Sequence, residues 1–398
     1  MEFKDLKINS ELLRVIEKLG FTNPTEIQEV AIPHIVAGKD VIGESATGSG
    51  KTLAFGAGLL RDIKKGAGIQ ALIMTPTREL AEQVKGELVK LSDRAVKITS
   101  IYGGVAINPQ MDDLTRAEVV VATPGRLLDH MQRGTIDLSK VKVLVLDEAD
   151  RMLDMGFIDD VEIIIKECPK NRQTLFFSAT ISEEIWKLAH KYMVEPVRVS
   201  AKRHVDPKKL KQVYYDVPRN LKIALLIHLL KEERKGLVMV FCNSRKNVDF
   251  VVKNLKVNGL SAIAIHGGFS QNKRSKTMEM FNNAKVGVLV CTDVAARGLH
   301  VNNVSHVYNY DIPKDPKDYV HRIGRTARAG EEGKAINLLC DFDHDNMSRI
   351  FRDYDFNIPK EKRPYLERVT IKTERSSYPR NNNGPRLKLG AGRRRRYN

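Results

Sequence analysis

The sequence predicts an α/β protein of two domains, each a parallel sheet covered by helices, with a short linker between them and a basic tail that does not pack. Three observations carry this expectation. Short β-rich apolar runs alternate with amphipathic helical stretches along the body, the pattern of βα units whose sheets are covered on both faces. The length of 398 residues exceeds one comfortable core and suggests two domains, at roughly 100–200 residues each. The stretch 201–210, AKRHVDPKKL, is polar, basic and interrupted by Pro207, so it reads as an exposed linker.

Taken in order, the strand candidates of the first half are 40–43, 71–74, 97–102, 119–122, 141–146, 174–177 and 197–200. Those of the second half are 212–217, 237–241, 261–265, 286–291, 306–310 and 335–339. The expected division is an N-terminal segment at 1–30, a first domain at 31–202, a linker at 203–211, a second domain at 212–365 and a tail at 366–398. From about Arg375 the tail combines SSYPRNNNGP with RLKLGAGRRRR and has too few apolar residues to pack, so it is expected to be disordered alone.

A hydrophobic fraction of 42 % is ordinary for a globular protein, and the body can fold without metals or disulfides. The net charge of +17 favours a polyanionic partner, because clustered Lys and Arg gain free energy by releasing phosphate counterions. Residues 372–398 carry nine Lys or Arg against one Glu, so +8 of that excess lies in the tail. Cys168, Cys242, Cys291 and Cys340 lie far apart, with no CxxC and no His at metal-ligand spacing, and read as small buried hydrophobes. The start MEFKDLKINS has no apolar signal region, and no run approaches the roughly 18 apolar residues of a membrane span. The expectation is a soluble, cytoplasmic monomer without a membrane partner.

The chemistry concentrates in two motifs. In SATGSGKT, residues 45–52, a strand candidate runs into small residues and then Gly50, Lys51 and Thr52, with a helical stretch from Leu53. That order wraps backbone N–H groups around phosphates, brings a Lys charge to them and offers a hydroxyl to Mg²⁺. Ser45, Ala46, Thr47, Gly48, Ser49, Gly50, Lys51 and Thr52 are therefore candidate nucleotide contacts, although Ser45 stands where the strict GxxxxGKT pattern has Gly. A phosphate loop needs a carboxylate for the metal, and the run 141–146 ends in Asp147 and Glu148 of DEAD, residues 147–150. At the carboxyl end of a buried strand, such side chains project into the crevice where ligands bind in open α/β sheets. With ATP as substrate, Asp147 and Thr52 would hold hydrated Mg²⁺ and Glu148 would orient or deprotonate the attacking water. In GFTNPTEIQ, 20–28, Thr25 with Gln28 three residues later fits a helix capping box, and Phe3 fits a core anchor; a ligand role for either remains open.

In chain order, Phe3 with GFTNPTEIQ, SATGSGKT, PTRELA at 76–81, Gly103 with Gly104, TPGR at 123–126, DEAD, and SAT at 178–180 are followed by VFCNS at 240–244, HGGFSQNKR at 266–274, TDVAARGLH at 292–300, YDIP at 310–313 and HRIGRTAR at 321–328. From Phe3 to Gly330 the chain thus closely resembles the DEAD-box RNA helicase family. The resemblance implies two RecA-like domains, with ATP between them and single-stranded RNA crossing both on a separate face. It implies that Gln28 contacts adenine while Phe3 stacks on the base, a role compatible with capping, and that Gly298 lies at the nucleotide. It implies a catalytic set of Lys51, Glu148, His321, Arg325 and Arg328. The last two would reach the γ-phosphate from the second domain as arginine fingers, an effect typically worth about 10³–10⁵ in rate. HRIGRTAR suits that role because it places three arginines around a helix-like segment with no phosphate loop of its own; a solvated basic helix is the plain alternative. Ser178 and Thr180 are expected to hydrogen-bond to Asp150 and His321 and to couple hydrolysis to duplex opening.

For RNA, the family matches are Pro76, Thr77, Arg78, Gly103, Gly104, Thr123, Pro124, Gly125 and Arg126 in the first domain, and Gly267, Gly268, Gln271, Arg274, Thr292 and Asp293 in the second. Such loops expose backbone N–H groups and short polar side chains that grip phosphate and ribose without reading bases, and 2′-OH contacts favour RNA over DNA. Two positions depart from the family. His300 stands where an acidic residue is expected at the ATP ribose, and Ala327 replaces a frequent Gly, a change that a helix would tolerate. The implied function is an ATP-dependent RNA helicase that opens short duplexes locally or remodels RNA–protein complexes, with a tail that tightens RNA binding unspecifically. A DNA translocase and a non-catalytic RNA clamp are the rival readings.

Overall fold

The computed structural model describes residues 1–45, 48–92, 96–201, 210–232, 236–296, 301, 304–327, 332–354 and 356–372. The linker expected at 203–211 lies almost wholly outside the described residues, as does the tail beyond Lys372.

Two seven-stranded parallel sheets carry the fold. The first contains β1 (Val41–Ser45), β2 (Ala71–Met74), β3 (Ile98–Ile101), β4 (Val119–Ala122), β5 (Val143–Asp147), β6 (Gln173–Ser178) and β7 (Val197–Ala201), in the spatial order β3-β4-β2-β5-β6-β1-β7. The second contains β8 (Leu210–Asp216), β9 (Leu237–Phe241), β10 (Ala262–Ile265), β11 (Val288–Cys291), β12 (Val304–Asn309), β13 (Gly333–Leu339) and β14 (Lys360–Glu361), in the order β10-β11-β9-β12-β13-β8-β14. The two orders are the same permutation, so the chain builds one architecture twice. Every strand candidate overlaps an observed strand. Only β14 escapes the sequence reading, because two charged residues carry no apolar signal.

Alternation along the strands explains why each sheet is buried on both sides. Val41, Ala71, Ile73, Val119 and Val121 face one layer of helices, and Ile42, Leu72, Met74, Val120 and Ala122 face the other. In the second sheet Val238, Val240, Val288 and Val290 divide in the same way from Met239, Phe241, Leu289 and Cys291. All four cysteines are buried and unpaired. Among the described residues no helix is long and apolar enough to cross a membrane.

The expected start of the tail at 366 needs correction. Lys360 and Glu361 pair with Tyr214 and Tyr215 on β8, and Leu366 and Val369 pack on the second core. The backbone N–H groups of Thr370 and Lys372 donate to the side-chain oxygens of Asn258 and Asn254 (3.1 and 2.7 Å). The chain is thus docked as far as Lys372, by contacts made to partners over a hundred positions away that composition does not reveal.

In a parallel sheet all carboxyl ends of strands lie along one edge. β5, β6 and β1 are neighbours there, with Glu44 beside Ser178 and Asp147 beside Phe177. The loops carrying SATGSGKT, DEAD and SAT therefore meet. The loops after β2, β3 and β4 meet at the other end of the same edge, and those after β9, β10 and β11 do so in the second sheet. Strand order alone separates the nucleotide candidates from the RNA candidates.

Candidate active site

Ser45 ends β1, and its hydroxyl accepts from the Ser49 hydroxyl (3.0 Å). Ala46 and Thr47 lie outside the described residues. The chain then turns through Gly48 (φ 81°) and Gly50 (φ 92°) into the helix Lys51–Leu59. A Cβ on Gly50 would stand 2.3 Å from Gln28 Nε2, so both conformation and space select glycine there. Gln28 Nε2 donates to Gly50 O (3.0 Å), Gln28 Oε1 accepts from the Thr25 N–H (2.9 Å), and the Thr25 hydroxyl donates to Ser49 O (2.7 Å). The capping box is formed, and it also ties the helix Glu26–Val36 to the phosphate loop. Among the described residues one N–H and one lone pair of the Gln28 amide are not used, so the side chain has atoms for capping and for a base edge together.

Phe3, expected to stack on adenine, is 5 % exposed and clusters with Leu6, Leu12 and Ile16 in the core, and it also lines the cavity that Phe21 borders. Phe21, which the sequence reading misses, is 50 % exposed. It lies on the rim of a cavity of about 440 Å³ that also takes in Lys4, Glu17, Thr22 and Asn23. The signal was an aromatic set between Gly20 and turn residues, with no helix or strand to bury it.

Lys51 is buried, with its Nζ 3.8 Å from Asp147 Oδ1 and 3.5 Å from Ser45 O. Burial pushes the Asp147 carboxyl up to about 6; Lys51 pulls against the rise and Glu148 adds to it. A buried carboxylate at the end of β5, with the buried Thr52 in the first turn of the helix after the phosphate loop, fits a magnesium ion held through water and substrate phosphates. Among the described residues no group of three or more His, Cys, Asp or Glu could hold a metal ion. Glu148 caps the helix Ala149–Asp154 at φ 55° and ψ 52°, a left-handed conformation that is uncommon for a residue with a Cβ. Its carboxylate is buried at the cleft and acts on Arg325 of the second domain.

Asp150, Ser178 and Thr180 form one closed set. Asp150 Oδ2 accepts from the Thr180 N–H (3.0 Å) and hydroxyl (3.2 Å); the Asp150 N–H donates to Ser178 Oγ (3.1 Å), which donates to Thr180 O (2.7 Å). His321 lies on the helix Pro316–Ile323 and lines the crevice between the lobes with Arg151, Asp318 and Arg325.

HRIGRTAR is not one helix. The helix stops at Ile323 with Gly324 as its cap, and Ala327 stands at φ 53°. The expectation of Ala327 in a helix is corrected: it holds left-handed backbone, at a cost of roughly 1 kcal/mol. The turn is pinned there because the Thr326 hydroxyl donates to Val304 O and Ser305 O, and a Cβ on Gly333 would meet Ala327 N at 2.6 Å. Arg325 is 4 % exposed; burial pushes its guanidinium down from the usual value, with Glu148 opposing and Arg151 adding to the fall. Arg328, Gly298 and His300 lie outside the described residues. Arg322 is committed inside its own domain, donating to both Asp293 oxygens at 2.6 Å and to Asn309 Oδ1, Asp311 O and Asn243 Oδ1.

On the other half of the edge, Arg78 begins the helix Arg78–Leu91 behind a Thr77 cap and lies across Gly103 and Gly104. A Cβ on Gly104 would fall 1.9 Å from an Arg78 nitrogen, so only glycine lets that arginine lie flat. Thr123 and Pro124 open the helix Pro124–Gln132, followed by Gly125 and Arg126. One Arg126 terminal nitrogen donates to Val105 O (3.0 Å) and the other is buried without a partner, a donor ready for an anion. The second lobe repeats the device: Arg245 begins the helix Arg245–Val257 behind a Ser244 cap, 3.1 Å from where a Gly267 Cβ would be, and the Gly268 N–H donates to His266 Nδ1. Sequence reasoning misses Arg245, whose signal is the matching topology of the two sheets. Pro76 and Thr292 lie in the loops after β2 and β11.

Three residues expected at the RNA have partners within the protein. Arg274 pairs with Glu79 at 2.8 Å, and Gln271 donates to the same carboxylate (3.2 Å), because the two lie one turn apart on the helix Gln271–Asn282 facing the first lobe. Asp293 is filled by the Arg322 fork. A second pair between lobes joins Arg151 to Asp318 at 3.7 Å.

The chain matches the DEAD/DEAH box helicase family model over residues 25–188 and the helicase conserved C-terminal domain over 221–330. It is 45 % identical to the ATP-dependent RNA helicase CshA of Listeria monocytogenes, over 85 % of this chain and 66 % of that protein. It is 40 % identical to the DEAD-box ATP-dependent RNA helicase CshA of Bacillus subtilis, over 96 % of this chain and 79 % of that protein. The chain belongs to the DEAD-box family of ATP-dependent RNA helicases. It spans 66 % to 79 % of the length of these two relatives. Among solved structures, S. cerevisiae Dbp5 bound to RNA and ADP BeF3 superposes on this DEAD-box protein with a TM-score of 0.81 at 30 % identity, covering 90 % of this chain and 95 % of that one. A DEAD box protein from Methanococcus jannaschii, 41 % identical and covering 91 % and 99 %, superposes with a TM-score of 0.57. The more similar sequence fits less well, which is what a different placement of two similar lobes produces. Between the lobes of this DEAD-box protein stand the Glu79–Arg274 and Arg151–Asp318 pairs.

Proposed function

We propose that this DEAD-box protein hydrolyses ATP in a cleft completed by closure of two lobes on single-stranded RNA, and that closure opens short duplexes locally. The observation that carries the reading is Glu148 of the first lobe and Arg325 of the second, each at most 5 % exposed and electrostatically coupled across the cleft. Half the machinery belongs to each lobe, so hydrolysis depends on their approach.

Lys51 and the loop 45–52 bind the phosphates, and Gln28 and Phe21 hold the base. Glu148 orients the attacking water and takes its proton. Arg325, with Arg328 in the same role, meets the charge that develops on the γ-phosphoryl group. Thr52 and Asp147 would hold Mg²⁺, which would supply positive charge to offset that of the phosphates. Asp150, Ser178, Thr180 and His321 connect that site to the lobe interface. Arg78, Arg126, Arg245 and the Gly-Gly loops contact phosphate and ribose, a track without base readout. Because the track crosses both lobes, closure fixes the path of one strand, and a strand bent away from A-form geometry leaves its duplex. The domains extend from 31 to 202 and from Leu210, where β8 begins, to the docked end at 372. The whole site is built from one copy, which supports a monomer; the localisation we infer is cytoplasmic.

An RNA-stimulated ATPase assay tests this. Single-stranded RNA should stimulate the wild type, and Glu148→Gln should lower kcat by about 10²–10⁴ while ATP-dependent RNA binding persists. Equal stimulation by DNA, or turnover retained in Glu148→Gln, would overturn the reading.

A further inference from the structure

The middle of the second sheet holds a chain of bonded polar side chains buried in the core. Asn309 on β12 and Asn337 on β13 are register partners, and both are 0 % exposed among apolar neighbours. Asn is a poor strand residue, and burying an amide costs free energy unless its groups are bonded. Here they are. Asn337 Nδ2 donates to Val213 O (3.0 Å) and to Tyr319 OH (3.1 Å), and its Oδ1 accepts from Asn309 Nδ2 (2.8 Å). Tyr319 OH donates to Gln212 Oε1 (2.8 Å), and Asn309 Oδ1 accepts from Arg322 (3.1 Å).

Both ends of this chain hold the same element. Tyr319 and Arg322, fully buried and one turn apart, form the inner face of the helix Pro316–Ile323. His321 is next to Arg322, and Arg325 follows three residues on, in the turn that faces Glu148. We propose that Asn337, through Asn309 and Tyr319, is a positioning residue for Arg325. It fixes the rotation and depth of the helix so that the finger arrives at the γ-phosphate when the lobes close. A well-packed apolar pair would serve sheet stability as well; what the two amides add is a single orientation for Arg322 and Tyr319. A misplacement of about 1 Å made far from the chemistry can cost about 10²-fold in rate.

The inference rests on the proposed role of Arg325, and the test separates the two. RNA-saturated ATPase is measured for Asn337→Leu, for Tyr319→Phe and for Arg325→Ala, with Val213→Ala as a variant that thins the same core while keeping the backbone carbonyl that accepts from Asn337. Asn337→Leu should lower kcat by at least about 10-fold while the KM for ATP and the RNA affinity stay within about twofold. It should add nothing further in an Arg325→Ala background. Val213→Ala should keep its kcat even where it melts as low as Asn337→Leu. Should Asn337→Leu fail to fold, Tyr319→Phe, which keeps the ring and removes one hydroxyl, carries the test with a loss of about threefold or more by the same split. Unchanged kcat in the folded Asn337 or Tyr319 variant, beside an inactive Arg325→Ala, overturns the positioning role alone. Full activity in Arg325→Ala overturns the functional reading beneath it.

Discussion

At Gly50 two independent constraints coincide: a φ of 92° that side chains rarely adopt, and the Gln28 amide 2.3 Å from where a Cβ would stand. Gly50→Ala should therefore destabilise by about 1–3 kcal/mol and displace Gln28 from the phosphate loop, raising the KM for ATP at least about tenfold. Thermal melts and an ATP titration check both effects. Asp147 supplies a pH signature. Its folded pKa of about 6 lies above the ordinary 3.8, so the nucleotide-free protein holds a proton that the unfolded chain has lost. Stability from this group is therefore greatest at low pH and falls as pH rises from about 4 through about 6. Binding of Mg·ATP runs the other way, since the carboxyl must lose its proton to hold the metal. Calorimetric titration should show Mg·ATP affinity weakening as pH falls through about 6, beyond the titration of ATP itself, which Asp147→Asn isolates by removing the protein's share. Identical pH profiles for the two proteins would contradict it. SATGSGKT and DEAD were legible at this scale because their chemistry is local. The burial of Phe3 and the availability of Phe21 were not, because they depend on how the N-terminal helix Ser10–Lys18 packs.

Elements were the easiest scale to read where both faces are buried, since runs such as Ala71–Met74 and Val119–Ala122 are apolar without interruption. HRIGRTAR was harder. Its three arginines suggest a helix face, yet Gly324 caps the helix and sends Arg325 into a turn; that glycine was the overlooked signal. Gln271 and Arg274 are expected at RNA, and in the structure both reach Glu79 near the start of another helix in the other lobe. A contact between residues nearly two hundred positions apart has no local spacing to betray it. Because the pair is about 15 % exposed on each side, removing one partner strands a poorly solvated charge. Glu79→Ala should raise the RNA concentration for half-maximal ATPase by about 5–30-fold, corresponding to roughly 1–2 kcal/mol, and leave unstimulated turnover unchanged. A steady-state RNA titration reads this directly, and an unaltered midpoint would show that the pair does not hold the closed state.

For the whole molecule, repetition of one sheet permutation explains how a single chain supplies opposing faces to one cleft. The first copy carries the phosphate loop and the acids, the second carries Arg325, and the glycine loops of each lie at the carboxyl edge of its own sheet. That there are two domains is visible in length and alternation. Which residues bridge them is not, because Glu79, Arg151, Arg274 and Asp318 acquire meaning only when the lobes are placed together. The account stands on closure being driven jointly by ATP and RNA. Single-molecule energy transfer between dyes at Glu183→Cys and Asn282→Cys, exposed sites on separate lobes, measures it most directly, since all four native cysteines are buried. In a Glu148→Gln background, which holds ATP without turnover, the closed population should be minor with no ligand, with ATP alone and with RNA alone, and dominant only with both. A closed population that is dominant without RNA, or that fails to grow when both ligands are present, would contradict the account.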